Sequence, residues 1–119
     1  MTAVAPSDLL DVAARILVAA GADADEARVT AEALVWADHR GRGPQGTVWL
    51  EAICARLREG GTVSPATITT VVDRPSLTVL DAGAAIGQVA GLLALEIAAD
   101  KARDTGVAAV AVRNSTHFG

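Results

Sequence analysis

Tyrosine is absent from these 119 residues, phenylalanine occurs once and tryptophan twice. A chain so poor in aromatics has little with which to stack bases, and its 10 lysines and arginines are scattered among 14 acidic residues. The net charge is −4 and the isoelectric point about 5.0, so nucleic acid is excluded as a partner. The one cysteine, Cys54, cannot close an internal disulfide. It falls in the apolar helical pattern Leu50, Ile53, Cys54, Leu57, where a small buried residue is expected. One cysteine and two distant histidines, His39 and His117, cannot make a zinc site of the usual spacing. No apolar run reaches membrane-spanning length; Val89–Ala99 falls short and Glu96 interrupts it. The first seven residues lack a basic patch leading into an apolar stretch, so no signal peptide is read. A cytoplasmic protein without membrane partners is the expectation.

What is present is globular in composition, with 51% hydrophobic and 20% charged residues. The length suits one small domain but is below the usual size of a two-substrate enzyme. Ser7 is expected to cap a helix with Leu9, Val12, Ala13, Ile16, Leu17 and Ala20 on its apolar face, ended by Gly21. Asp23 and Glu26 form a capping-box pair opening a second helix through Val29, Ala33, Trp36 and Ala37. Gly41-Arg42-Gly43-Pro44 breaks it, and Pro44 suits the first turn of a third helix carrying Val48, Leu50, Ile53 and Leu57. Gly60-Gly61 ends that one.

The pattern changes after Pro65. Thr67–Val72 is rich in β-branched residues, Leu77–Leu80 is a second short apolar run, and Asp73-Arg74-Pro75-Ser76 between them reads as a turn; a β-hairpin is predicted. A fourth helix follows, with Ile86, Val89, Ala90, Leu93 and Ile97 on one face, Lys101 and Arg103 near its C-terminal end, and Thr105-Gly106 as its stop. Val107–Val112 is a continuous apolar run of the kind found in strands buried on both faces. One hairpin and one buried strand leave sheet edges uncovered, so the sequence reads as unfinished, cut where further strands are expected.

Gly41-Arg42-Gly43-Pro44-Gln45-Gly46 matches G-x-G-x-x-G by letter. A helix rather than a strand precedes it, and Ala66 stands where an acidic residue about 20 positions on is required. A glycine-rich turn between helices is the better reading. Asn114-Ser115-Thr116-His117-Phe118-Gly119 follows the last strand, at the end of a strand where α/β proteins place ligands. There His117 is a candidate acid/base or cofactor contact, against the plainer alternative of a solvated terminal histidine. Ser115 and His117 have no orienting carboxylate, so a hydrolase triad is not supported.

Together these segments resemble the malate/L-lactate dehydrogenase family, whose fold is distinct from the Rossmann lactate dehydrogenases. Ala37-Asp38-His39-Arg40-Gly41 is similar to the family's Ala-Asp-Leu-Arg-Gly, and Leu57-Arg58-Glu59-Gly60-Gly61 to its Leu-Arg-x-Gly-Gly. Leu80-Asp81-Ala82-Gly83 with Ile86-Gly87-Gln88 resembles its Val-Asp-Gly-x-x-Gly-x-Gly-Gln stretch. Lys101-Ala102 through Val112-Arg113-Asn114-Ser115-Thr116-His117-Phe118-Gly119 resembles its Lys-Ala-x-x-x-Gly…Val-Arg-Asn-Ser-x-His-Phe-Gly block, the most specific of the four.

The resemblance implies an α/β fold with a helical segment over residues 1–61 and the start of a cofactor-binding domain over 62–119. It implies an NAD(P)-dependent oxidoreductase, a homodimer when full length, interconverting a 2-hydroxy acid and its 2-oxo acid. In the family a Ser-His-Gly histidine protonates the developing alkoxide, and an arginine shortly after it holds the substrate carboxylate. Here those positions read Pro44-Gln45-Gly46 and Trp49. Gln45 can donate a hydrogen bond but not a proton near neutral pH, and Trp49 cannot pair with a carboxylate. The candidate residues are accordingly His117 and Gln45 for catalysis, Arg40 for the substrate, and His117, Phe118 and Gly119 for NAD or NADP. The alternative is a non-catalytic relative that keeps the fold and binds a partner through its helices.

Overall fold

The computed structural model describes residues 2–117, and they gather into two compact units that divide between Pro65 and Ala66. The first is helical. Helix α1 (Pro6–Ala19) and helix α2 (Ala24–His39) pack along each other, and both contribute small residues to the contact. Ala13, Ala27 and Ala31 are fully buried beside Leu17 and Leu34. Helix α3 (Leu50–Glu59) adds Ile53 and Cys54 to this core.

The helix ends follow from local chemistry. At α1, Pro6 occupies the first turn and Ala5 is the N-cap, with no side-chain cap. Ser7 therefore lies inside the helix and does not cap it, because proline's fixed φ already starts the helix one residue earlier. Gly21 (φ +111°) ends α1, with its N–H donating to the Val18 carbonyl and the Ala22 N–H to the Leu17 carbonyl. At α2, Asp23 caps as expected, accepting from the Asp25 and Glu26 N–H groups. Ser64 completes the capping box: its hydroxyl donates to Glu26 and accepts from the Asp23 N–H at 2.9 Å.

All three helices depart from expectation in part: on α1, Val12 and Ile16 of the expected apolar face are exposed. On α2 the buried set is Ala27, Thr30, Ala31, Leu34, Val35 and Ala37, while Trp36 is 56% exposed. The many alanines give the helix two weakly distinguished apolar faces, and the better-packing small one is the one buried. Pro44 does not open α3. Gly43–Gln45 and Thr47–Trp49 form two short 3₁₀ turns first, and the helix proper begins at Leu50. Val48 is exposed.

The second unit is a small three-stranded sheet with one long helix. Strand β1 (Thr69–Arg74) pairs antiparallel with β2 (Leu77–Asp81), which pairs parallel with β3 (Ala109–Arg113). The hairpin is as predicted, but Asp73 and Arg74 belong to the strand and only Pro75-Ser76 turn; a bulge at Val71 shifts the register between Thr70 and Val72. Helix α4 (Gly87–Thr105) crosses from β2 to β3, the usual way to join parallel neighbours, and Gly106 in a left-handed conformation ends it. Lys101, beyond favouring the helix end, reaches back to the hairpin, donating to the Asp73 carboxylate at 2.6 Å and the Arg74 carbonyl at 2.7 Å.

Ala82, Ala85 and Ala90 form the centre of the second core, joined by the partly buried Ala66, Ile68 and Val112. Strand β3 is not buried on both faces. It is a sheet edge whose residues alternate between exposed and partly buried, with α4 packed against it.

Candidate functional site

Two places carry the chemistry that the sequence motifs suggest, one in each unit. In the helical unit it is the turn from Gly41 to Trp49. Gly41 (φ +73°) closes α2 with its N–H on the Asp38 carbonyl, and the Arg42 N–H returns to the Ala37 carbonyl at 2.8 Å. The Asp38 side chain then leaves the helix and holds the turn from below. One of its oxygens accepts from the Thr47 N–H at 3.0 Å and from the Thr47 hydroxyl at 2.6 Å. Gly46 is required at this contact, since a Cβ there would overlap the other Asp38 oxygen. The Trp49 indole N–H donates to the Pro44 carbonyl at 2.7 Å and fastens the other side of the turn.

In the sheet unit the site is the carboxyl end of the parallel pair β2–β3. Asp81 and Arg113 face each other in register. The Asp81 carboxylate accepts from the Gly83 N–H at 3.0 Å, Arg113 Nε at 3.0 Å and Asn114 Nδ2 at 2.9 Å. These contacts hold its carboxyl below the usual range, the Gly83 N–H first and then Arg113 and Asn114. The two segments after the strands are zipped together. Ala82 N–H donates to the Arg113 carbonyl, Ala84 N–H to the Asn114 carbonyl, and Thr116 N–H to the Ala85 carbonyl. Both segments bend sharply to do so, with Ala84 (φ +67°) and Asn114 (φ +56°) in left-handed conformations.

This zipper ends at the start of α4. The Gly87 N–H donates to Thr116 Oγ1 at 2.9 Å, and a Cβ on Gly87 would meet the Thr116 and His117 carbonyl oxygens at 2.5 and 2.6 Å. Beside it, the Gln88 Oε1 is buried and makes no hydrogen bond. The strand ends, the helix start and His117 therefore form one continuous framework, at the position where open α/β sheets receive ligands.

Comparison with known proteins places these segments. The model of the malate/L-lactate dehydrogenase family matches residues 4–119. The chain belongs to this family. Among relatives, it is 35% identical over 112 residues to the malate dehydrogenase of Pyrococcus abyssi, covering 94% of this chain and 31% of that protein. It is 35% identical over 103 residues to the NAD(+) ureidoglycolate dehydrogenase of Escherichia coli K12, covering 87% of this chain and 30% of the relative. The solved malate dehydrogenase of Pyrococcus horikoshii superposes with a TM-score of 0.95 at 31% identity, covering 99% of this chain and 34% of that one. The sulfolactate dehydrogenase of Methanocaldococcus jannaschii superposes at 0.91 with 32% identity, covering 96% and 33%. The chain thus spans about a third of the length of the relatives it matches. The mixed α/β architecture is the one those dehydrogenases share.

Within this family frame, Arg40 is the C-cap of α2 and is exposed, its guanidinium carbon 5.0 Å from the centre of the Trp36 ring. Gln45 is exposed in the first 3₁₀ turn of the helical unit. His117 is exposed beyond β3, in the sheet unit. Phe118 and Gly119 lie outside the described residues. The structure thus puts Arg40 and Gln45 on one turn region and His117 on the strand ends of the other unit. Burial raises the Cys54 thiol above its ordinary value against the opposing charge of Arg58, which suits a core residue and not a nucleophile. Among the described residues no helix is long and apolar enough to cross a membrane, and no cluster of three or more His, Cys, Asp or Glu is arranged to hold a metal.

Sequence reasoning named Asp38, Asp81, Asn114 and Gln88 only as parts of motifs. Their contacts give them definite work. Asp81 could have been singled out as an acidic residue ending a strand two positions before a glycine, the pattern of an Asx turn. The Asp38–Thr47 contact left no such signal.

Proposed function

We propose that the natural protein carrying this chain interconverts a 2-hydroxy acid and its 2-oxo acid with NAD or NADP, acting as a cytoplasmic homodimer. The observation that carries this reading is the zipped framework at the ends of β2 and β3, which combines the family's Asp-Gly…Gly-Gln and Arg-Asn-Ser-x-His blocks in one place. We assign residue 62 onward to the cofactor-binding part of the protein and residues 1–61 to a helical segment.

The residues at the strand ends suit a nicotinamide cofactor. Gln88 has a buried acceptor oxygen without a donor, a state that costs about 1–3 kcal/mol unless something supplies one; a carboxamide N–H is such a donor. His117, Phe118 and Gly119 complete the proposed cofactor contacts. The cofactor, when bound, supplies or removes a hydride. The work of the chain's own residues is to manage the charge that results. Reduction leaves negative charge on the substrate oxygen, and His117 is the titratable group proposed to deliver the proton there. Arg40 is proposed to hold the substrate carboxylate. Its guanidinium carbon lies 5.0 Å from the centre of the Trp36 ring, and its planar fork of donors suits bidentate pairing with a carboxylate. Gln45 can orient the substrate oxygen through its amide N–H but has no proton to give.

The substitutions at Gln45 and Trp49 favour a slow enzyme, or a relative that binds without turnover. Nicotinamide-linked reduction of pyruvate and oxaloacetate, measured for the natural protein, Gln45→His and Gln45→His/Trp49→Arg, separates these. General acid catalysis contributes about 10²–10⁴-fold, so a gain in that range is expected for the double variant over a slow parent. A parent already as fast as the variants would show that Gln45 is not a lost acid and that His117 or another residue does that work. Cofactor binding with no turnover in any variant would favour the non-catalytic relative.

A further inference from the structure

We infer that Asp38 is a positioning residue, whose carboxylate fixes the Pro44–Trp49 turn against the end of α2 and so sets the placement of Gln45 relative to Arg40. The inference deepens the dehydrogenase reading given above and rests on it for the substrate side. The geometric part stands on its own contacts.

Three observations converge on this carboxylate. Asp38 sits in the last turn of α2, two residues before Arg40, and Thr47 sits two residues after Gln45. One Asp38 oxygen accepts both donors of Thr47, at 3.0 and 2.6 Å, so a single charged group ties the two segments together. The other oxygen occupies the space that any side chain at position 46 would need. The first half of the turn lies at the surface. Its residues from Gly41 to Gln45 are all exposed, the described residues of its 3₁₀ turns contribute no buried side chain, and it lies outside regular helix. The Trp49–Pro44 hydrogen bond closes the turn on itself but does not attach it to α2. The two 3₁₀ turns also lie against α2, and the second lies against α3, so losing the Asp38 contacts loosens the placement of the turn without detaching it.

A purely structural role for Asp38 predicts that its loss destabilises the helical unit as a whole. Positioning predicts a local release: the helices persist while the turn becomes mobile, and catalytic efficiency falls because the groups on it are no longer preorganised. A displacement of about 1 Å far from the chemistry can cost about a hundred-fold in rate.

The experiment uses the natural protein and the variants Asp38→Ala, Asp38→Asn, Thr47→Val and Thr47→Ser. Amide hydrogen exchange is read at Thr47 and along α1, α2 and α3. Turnover of a 2-oxo acid with nicotinamide cofactor is read as separate kcat and KM. Thr47 N–H protection should be lost in Asp38→Ala and reduced in Asp38→Asn, with the helices unchanged, and Thr47→Ser, which keeps both donors, should match the parent. Efficiency should fall about a hundred-fold in Asp38→Ala, and Thr47→Val should fall in between. Equal Thr47 protection in parent and Asp38→Ala would overturn the inference. So would exchange rising uniformly through all three helices in both Asp38 variants and in Thr47→Val. If no form turns over a 2-oxo acid but Thr47 protection follows the predicted order, Asp38 still holds the turn and it is the dehydrogenase reading that fails.

Discussion

Replacing Gly87 by alanine tests whether the contact between the start of α4 and the Thr116–His117 backbone is as close as the geometry states. The added methyl carbon would stand 2.5 Å from one carbonyl oxygen and 2.6 Å from the next. Real Cβ atoms do not approach backbone oxygens so closely, so either the helix start or the segment after β3 must shift. Overpacking of this kind costs about 1–3 kcal/mol. The displaced Gly87 N–H to Thr116 Oγ1 bond adds about 1 kcal/mol. Alanine's better helix propensity returns at most about 1 kcal/mol, and less in the first turn. A net loss of about 1–4 kcal/mol remains, which for a domain of this size lowers the melting temperature by roughly 5–20 °C. The assay is a thermal melt followed by far-ultraviolet circular dichroism, with Gly43→Ala as the control, because a Cβ on Gly43 meets nothing within 4 Å. Thr116→Val isolates the hydrogen bond from the clash and should cost only the smaller part. A Gly87→Ala protein that melts with the Gly43→Ala control would refute the close approach.

Two further outcomes follow from features described above. The Asp81 carboxyl is held low in the folded chain by Gly83, Arg113 and Asn114, so its contribution to stability is present above the ordinary aspartate value of about 3.9 and is lost as pH falls through the lowered folded value. Acid titration of stability should therefore be shallower at its acid limb in Asp81→Asn than in the parent. Ala5 caps α1 without a side-chain acceptor, so Ala5→Asp should stabilise the helical unit by about 1 kcal/mol, read as a raised urea midpoint with unchanged slope; no change would mean that the N-terminal N–H groups of α1 are already satisfied.

The fold was legible where the signal was local and strong. The order of three helices, hairpin, long helix and strand followed from the change of hydrophobic period near Pro65. Asp23 announced the start of α2, and Gly21, Gly60 and Gly106 announced helix ends that adopt left-handed backbones. What failed was which side of a helix is buried. With alanine at so many positions of α2, hydrophobicity barely separates its faces, and the choice between Trp36 outward and Ala31 inward is made by how closely α1 can approach. Val107–Val112 does hold a strand, from Ala109 onward, and its exposed edge is the uncovered sheet edge expected from the sequence. Of the site, the blocks around Asp81 and Asn114 could be named but not joined. Residues more than thirty positions apart meet there through left-handed turns at Ala84 and Asn114, and no short-range pattern reports such a meeting.

The distribution of aromatic residues has a spectroscopic consequence. Both indoles, Trp36 and Trp49, belong to the unit that ends at Pro65, and the chain has no tyrosine. Intrinsic emission excited near the red edge of protein absorption therefore arises in the helical unit. Trp36, largely exposed beneath the Arg40 guanidinium, should respond to added salt and quenchers, whereas Trp49, with its N–H engaged, should be the slower to quench. The sheet unit is dark to this probe. The cofactor's own emission, recorded beside that of the indoles, gives a second signal that does not depend on either tryptophan.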